Sequence, residues 1–596
     1  MLFKRYALLL IFLISLASLH GAEHGETEAS FYIKSIFTTG GRISGYVSAD
    51  PRGGFLAFSE DRYLYSFYNN GEMRSRKKIS GKPAPFHVQG FDGVIYKYFD
   101  STVLKAINMK GDVIWSIKND TPPAFSPVVN SMGNIITVTD NKIISYSYMG
   151  RKRWEIGSDI SEKQDKKNTK VKDRFFSTPL IPAAGGVVYA GMSDGTVVVV
   201  GNYGEIIKAM QISVTEITAL GISSEKIIVS DKSSNLFILD HQLKILDSVK
   251  LRSPASYIVA AKDDSVIAVL TKAGNVELFD SSFSLFPARI RGYGFTGMPL
   301  CFGNSFYFVK SNGFILKFDI AQKKAEEIPI PFEAVHGFRT PADIDTPLTI
   351  SAYKNMIIAG GLDWNLYLIE ERDYKNIQAQ GADSFQNYIF TNNPQSNVDI
   401  APDTRYLLYI NELSLVEDVA GRENAFELLD QFFLEKITGN DERYILSIIG
   451  RVAFGSGVAN QKTSSRIESS AVIRTKTALI AARIGTIETV NMLRNMLGRE
   501  TDSVIASVII KELGKAGSDP YGESVRLFER AYSRFPDDLA VVDNIIMGIK
   551  NINNYQGYLY ENTGKNLLLK MLERTEKYDL KLKIMDVLKT LDGDVQ

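Results

Sequence analysis

A single cysteine, Cys301, stands among 596 residues. One thiol excludes an internal disulfide. Its position, far from the N-terminus, also excludes the lipid-carrying cysteine that follows the signal of a bacterial lipoprotein. Tryptophan is scarce, with three residues, and the five histidines, His20, His24, His87, His241 and His336, stand alone. No His-x-x-x-His or Cys-x-x-Cys spacing is present to chelate zinc. Neither sign of charge is in excess: 68 Lys+Arg balance 68 Asp+Glu. That balance removes any global electrostatic reason to expect nucleic acid or an anionic membrane surface as partner. Beyond the N-terminus no apolar run approaches the ~20 residues of a membrane span.

What the chain does have is a large apolar fraction, 45% hydrophobic and 11% aromatic, enough to fill more than one core. It opens with Lys4 and Arg5, an apolar stretch from Tyr6 to Ala17, and then the small and polar "SLHGAEHG". This is the layout of an export signal, assigned to residues 1–22. Cleavage after Ala22 puts His20 at the minus-three position, whereas cleavage after Ala17 puts Ser15 there. An uncleaved anchor is the competing reading, although spanning segments are normally longer. Export without disulfides suits a periplasm.

A repeat runs through the first two-thirds. An alternating apolar strand and a turn recur in "DRYLYSFYNNGE" (61–72), "STVLKAINMKGDVIW" (101–115), "NKIISYSYMGRKRW" (141–154), "SDGTVVVVGNYGE" (193–205), "SNLFILDHQLK" (234–244), "GNVELFDSSFS" (274–284), "GFILKFDIAQK" (313–323) and "WNLYLIEERDY" (364–374). Taking Leu64, Leu104, Ile144, Val197, Leu236, Val276, Ile315 and Leu366 as equivalent, the spacings are 40, 40, 53, 39, 40, 39 and 51. A period near 40 built of short strands is the signature of a β-propeller with one four-stranded blade per repeat. Pro85, Pro127, Pro179, Pro299 and Pro347 keep the same step, 16 to 19 residues before the anchor of their repeat. Proline is tolerated at the first residue of a strand, so each is expected to open an innermost strand. The last repeat has no evident fourth strand, and Phe31 to Phe37 is expected to supply it, closing the ring and removing an open edge. The expected fold is thus an all-β eight-bladed propeller over residues 27–375.

The pattern of Ser/Thr-Pro, apolar strand, "SDG", apolar strand and a glycine turn followed in places by Trp115 or Trp154 resembles the pyrroloquinoline-quinone-like propeller repeat. Its eightfold ring is similar to the quinoprotein alcohol dehydrogenases and to the propeller lipoproteins (BamB-type) of the outer-membrane β-barrel assembly machinery. Within that resemblance the quinone enzymes hold their cofactor between a tryptophan and a vicinal disulfide, beside a calcium site. One cysteine makes that disulfide impossible, and only Trp364 lies away from the blade turns. No catalytic, cofactor-binding or metal-ligating residue is therefore assigned, and no cofactor is expected. "SDG" (193–195) and "GFDG" (90–93) carry neither an oxygen-ligand ladder nor a P-loop lysine and read as turns. "FGSGV" (454–458) lacks the spacing of a nucleophile elbow and reads as a linker.

Two inserts lengthen the period. The first, 157–176, mixes Lys163, Lys166, Lys167, Lys170 and Lys172 with Asp159, Glu162, Asp165 and Asp173, as a solvated loop does. The second, 325–345, carries Ile330, Phe332, Val335 and Phe338 between prolines. Apolar residues on a loop need cover, so these four are the candidate partner contacts.

After about Arg372 the sequence changes. An Asn/Gln-rich linker is assigned to 376–411 and an α-helical repeat domain to 412–596. Ile487, Val490, Leu493 and Leu497 step along one helix face, as Val542, Ile545, Ile546 and Ile549 share another. "AVIRTKTALIAARIG" (471–485) superposes on "SVIASVIIKELGKAG" (503–517) at an offset of 32, which resembles a short HEAT-type repeat of helix pairs. "PDDLAVVDNIIMGI" (536–549) is a blurred third copy, and an irregular helical bundle is the alternative. The ring, residues 23 to about 380, is expected to fold by itself. The function expected is a non-enzymatic, exported scaffold of the bacterial envelope with protein partners, no nucleic acid and no transmembrane span after signal removal. A propeller-based enzyme or small-ligand sensor using the central channel is the alternative.

Overall fold

The computed structural model describes residues 31–43, 45, 47–50, 54–68, 70–160, 174–223, 226–261, 263–286, 290, 294–310, 314–329, 349–353, 356–360, 364–371, 405–415, 419–432, 439–454 and 471–592. Eight antiparallel sheets follow one another along the chain and make the blades of a propeller. They occupy residues 48–78, 83–118, 128–157, 181–211, 217–250, 255–280, 295–329 and 349–371. Seven have four strands, and the sixth has three among the described residues.

Each of the eight anchor residues lies in the third strand of its blade: Tyr63–Phe67, Val103–Ile107, Lys142–Tyr146, Thr196–Val200, Asn235–Leu239, Val276–Asp280, Phe314–Asp319 and Asn365–Glu371. A third strand is covered on both faces by neighbouring blades, so consecutive positions must be apolar. In Thr196–Val200 all four valines are buried. The outer strand Met73–Lys78 faces water and is written with charge, MRSRKK. "SDG" is the turn between second and third strands of blade 4. Gly195 takes a φ of 87° there, and Asp194 Oδ1 accepts from Thr196 N at 3.0 Å.

The ring closes as the sequence suggests. Phe31–Thr38 pairs antiparallel with Asn365–Glu371, from Phe31↔Glu371 to Thr38↔Asn365, and forms the outermost strand of blade 8. The prolines need a correction. Pro127 directly precedes the short inner strand Val128–Val129, and Pro179 lies two residues before Ile181–Pro182. Pro85 and Pro299 instead sit inside the inner strands Pro83–Gln89 and Phe295–Phe302, where the register shifts. A bulge spares the missing N–H a ladder partner as well as a strand start does. Pro347 lies outside the described residues.

Among the described residues ten α-helices follow: α1 (Arg405–Leu415), α2 (Val419–Phe432), α3 (Asn440–Phe454), α4 (Ala471–Ile484), α5 (Ile487–Arg499), α6 (Ser503–Ala516), α7 (Glu523–Arg534), α8 (Leu539–Gln556), α9 (Thr563–Arg574) and α10 (Tyr578–Asp592). The first begins at Arg405, so 405–411 belongs to the helical part and not to the linker assigned above. Even-numbered helices pack in one row, α2 to α4 to α6 to α8 to α10, and α1, α3, α5, α7 and α9 in another. The 32-residue repeat is visible here: its two copies are α4 and α6, each ending on a left-handed glycine, Gly485 and Gly517. Helices α6 and α8 cross closely because Gly514 faces Gly548; a Cβ on Gly514 would come within 2.6 Å of Gly548 Cα. Asp538 caps α8 by accepting from Ala540 N and Val541 N, in line with the "FPDDLA" signal.

Candidate functional site

The turns between first and second strands and between third and fourth strands share one face of the ring. On blades 1 to 4 this face is covered by one edge of the helical stack. The edge is made of the turns at which even helices end and odd helices begin. In the last turn of α4 the Arg483 carbonyl accepts from Arg151 Nη1 in the turn of blade 3. Gly485, just beyond, packs so closely on Met149 that a Cβ would lie 2.8 Å from its sulfur. Helix α6 ends before Ser518, whose hydroxyl donates to Asp92 Oδ2 of blade 2 at 3.4 Å. At the end of α8, Met109 N donates to the Gln556 carbonyl at 3.2 Å and Asn108 Nδ2 to the Asn554 carbonyl at 2.8 Å. Tyr558 then inserts among Leu56, Phe58, Leu64, Ile95, Phe99 and Ile107, between blades 1 and 2.

One apolar core runs through this joint. Val94, Tyr96, Tyr98, Leu104, Ile135, Tyr146 and Tyr148 of blades 2 and 3 belong to the same buried cluster as the helical stripes. The Tyr148 and Tyr555 rings meet edge-on at 6.0 Å. A cleft of about 360 Å³ remains between blade 3 and α4 to α6, lined by residues including Tyr148, Arg151, Arg483, Glu512 and Lys515.

Charge is buried here too. Arg153 of blade 3, 4% exposed, forms an ion pair with Glu442 in the first turn of α3, and its Nε reaches Glu442 Oε2 at 3.2 Å. Tyr203 of blade 4 donates to Glu488 Oε2, in the first turn of α5, at 3.1 Å. The Arg153 and Arg443 guanidiniums each lie 5.6 Å from the Tyr203 ring centre. Burial raises the pKa of both Glu488 and Tyr203. Acidic side chains in the first turns of α3 and α5 also meet the positive end of each helix dipole. Asp92 is 3% exposed and ringed by Tyr96, Tyr148, Tyr555 and Tyr558. Desolvation pushes its carboxyl up to about 6, partly offset by hydrogen bonds from Val94 N and Ser518.

No family model and no curated protein matches the chain. Among solved structures it is similar to BamB from Moraxella catarrhalis (11% identity, 58% of this chain and 98% of that chain, TM-score 0.45). Sqt1 from Saccharomyces cerevisiae is similar at 10% identity, over 56% of this chain and 98% of that one, with a TM-score of 0.44. The Dos1 propeller matches at 10% identity, over 58% and 96%, with a TM-score of 0.43. These likenesses are of fold.

The residues singled out in the sequence fall as follows. Ile330, Phe332, Val335 and Phe338 lie outside the described residues, as do His20, His24 and His336. His87 is buried on the inner strand of blade 2, its Nε2 3.3 Å from Ser48 Oγ, and burial with nearby Lys97 lowers its pKa. His241 lies on the turn after Asn235–Leu239, remote in sequence from any other histidine. Trp115 and Trp154 are blade clamps. Their indole N–H groups donate to the carbonyls of Tyr148 and Asn202 in the turn of the next blade, both at 2.8 Å, and Gly150 and Gly204 lie flat on the rings. Trp364 is 41% exposed on the loop before Asn365–Glu371. Among the described residues no three His, Cys, Asp or Glu side chains are grouped to hold a metal, and no helix is long and apolar enough to cross a membrane.

Sequence reading missed the joint. "GFDG" was read for turn chemistry, and Asp92 does turn the chain, accepting from Val94 N at 3.1 Å. Its second oxygen serves the helical domain, 426 residues away in sequence, and no local pattern marks that use.

Proposed function

We propose that the chain is a non-enzymatic, exported scaffold of the bacterial cell envelope, working in the periplasm by holding protein partners. The observation that carries this reading is the joint. A continuous core and a buried ion pair fix a propeller and a two-row helical stack as one frame. Among the described residues the joint occupies one ring face and one edge of the stack, and leaves the other ring face and the outer surfaces of both helix rows to partners. The tryptophan clamps and the period near 40 support a pyrroloquinoline-quinone-like repeat, and the 32-residue offset of α4 and α6 supports a HEAT-type one. Export rests on the N-terminal signal, residues 1–22.

The test is fractionation of cells expressing the tagged full chain, followed by cross-linking in envelope extracts. The expected result is periplasmic recovery of a shortened chain with defined protein adducts. Cytoplasmic retention of the full-length chain sinks the export reading, and a turnover lost on substituting buried ring residues such as His87 sinks the non-enzymatic one.

A further inference from the structure

On the outer surface of the odd row, α5 and α7 enclose a groove of about 650 Å³ lined by Gly498, Arg526, Glu529, Arg530, Ser533 and Arg534. All three arginines are exposed, and among the described residues none of them has a carboxylate within ion-pair distance. The groove's own acid does not neutralise them: Glu529 is held by Lys570 of α9 at 2.7 Å. Two of the three guanidiniums are tethered. Arg526 Nη2 donates to the Tyr521 carbonyl at 2.7 Å. Arg534 donates to the carbonyls of Leu497, at 3.1 Å, and Glu500 at the end of α5. Tethering removes part of the side-chain entropy that binding would otherwise cost, while leaving further N–H donors on each fork.

Spacing narrows the ligand. Residues four apart on a helix are ~6 Å apart along its axis, so Arg526, Arg530 and Arg534 form a row ~12 Å long. Side chains on one face of an extended peptide repeat every second residue, at ~6.6–6.8 Å. We infer that this groove binds an extended acidic segment of a partner protein, with carboxylates at alternate positions set against the three arginines. Gly498 brings no side chain to the α5 wall of the groove. The inference stands on the groove alone and does not depend on where the protein resides or on the propeller's role.

The probe is a fluorescent peptide with three glutamates at alternate positions, titrated by anisotropy against the full chain. The control has the same composition with the glutamates contiguous. The alternating peptide should bind more tightly, and its affinity should fall as salt rises. Arg526→Gln, Arg530→Gln and Arg534→Gln together should weaken it by about tenfold or more, since charge-assisted bonds carry the contact. If the triple variant loses its helical signal, Arg530→Glu carries the test alone, because the Arg530 side chain makes no hydrogen bond or ion pair among the described residues; a loss of about fivefold or more is expected there. Three results overturn the inference: no binding of the alternating peptide, equal binding of the two peptides, or binding unchanged in the arginine variants. Arginine-dependent binding to phosphatidylglycerol vesicles with none to the peptide assigns the groove to anionic lipid and overturns it as well.

Discussion

A carboxylate buried without a cation resists ionisation, and at the joint Asp92 is in that position, its carboxyl raised from 3.8 to about 6. Because the folded value is above the unfolded one, folding is favoured fully below about pH 3.8. The benefit is lost as pH rises through about 6, a swing of about 2–3 kcal/mol. Lys97 of blade 2, buried over the Phe58 ring of blade 1, is lowered from 10.5 to about 7, so its contribution is lost as pH falls from 10.5 to 7. Together these two groups leave stability lowest between about pH 6 and 7. Asp92→Asn keeps an acceptor for Val94 N and removes the charge. Its thermal midpoint should exceed the parent's at pH 7.5 by more than at pH 4.5, and a gain equal at both values would refute the assignment of the shift to Asp92.

Blades were legible in the sequence because their third strands obey a strong local rule. A strand covered on both faces is mostly apolar along its length, and in blades 1 to 4 the turn after it holds a glycine at positive φ, Gly71, Gly111, Gly150 or Gly204, so Val197 and its seven equivalents could be aligned by eye; the later turns use Leu243, Phe283 and Lys323 in the same conformation. The closing strand was legible for a different reason: Asn365–Glu371 lacked a partner downstream, and Phe31 to Phe37 was the one strand-like run left over. The proline positions were read less well, since a bulge tolerates a missing N–H as readily as a strand end. The closure has an element-level test. Ile36 pairs with Tyr367 and Phe37 with Leu366, and neighbouring residues of a strand point their N–H groups to opposite sides. Proline at one of the two should therefore cost ~3 kcal/mol or more, and at the other much less. Thermal melts of the two variants decide it, and equally small losses would mean that the ring does not depend on this strand.

At the scale of the molecule, the sequence reading treats residues 23 to about 380 as a unit that folds alone, but blades 2 and 3 share their core with α4, α5, α6 and α8. The joint escaped notice because it is assembled from turn residues hundreds of positions apart, such as Asp92 with Ser518 and Arg153 with Glu442, each ordinary where it stands. Its strength can be measured by placing a specific protease site between Asn376 and Asp403 and cutting the folded protein. The two fragments should still elute together in gel filtration, held by the core and the buried pair. Arg153→Met strands Glu442 beside Glu488 in a site that excludes water. Breaking a buried pair from one side costs about 3–5 kcal/mol, so the fragments of this variant should separate. Adding Glu442→Leu removes the orphaned charge and should bring them together again, because an apolar pair of similar volume can replace a buried ion pair with little loss. Separation of the unmodified fragments would show that the joint does not hold the two arrays, and co-elution of the Arg153→Met fragments would place its strength in the tyrosine core alone.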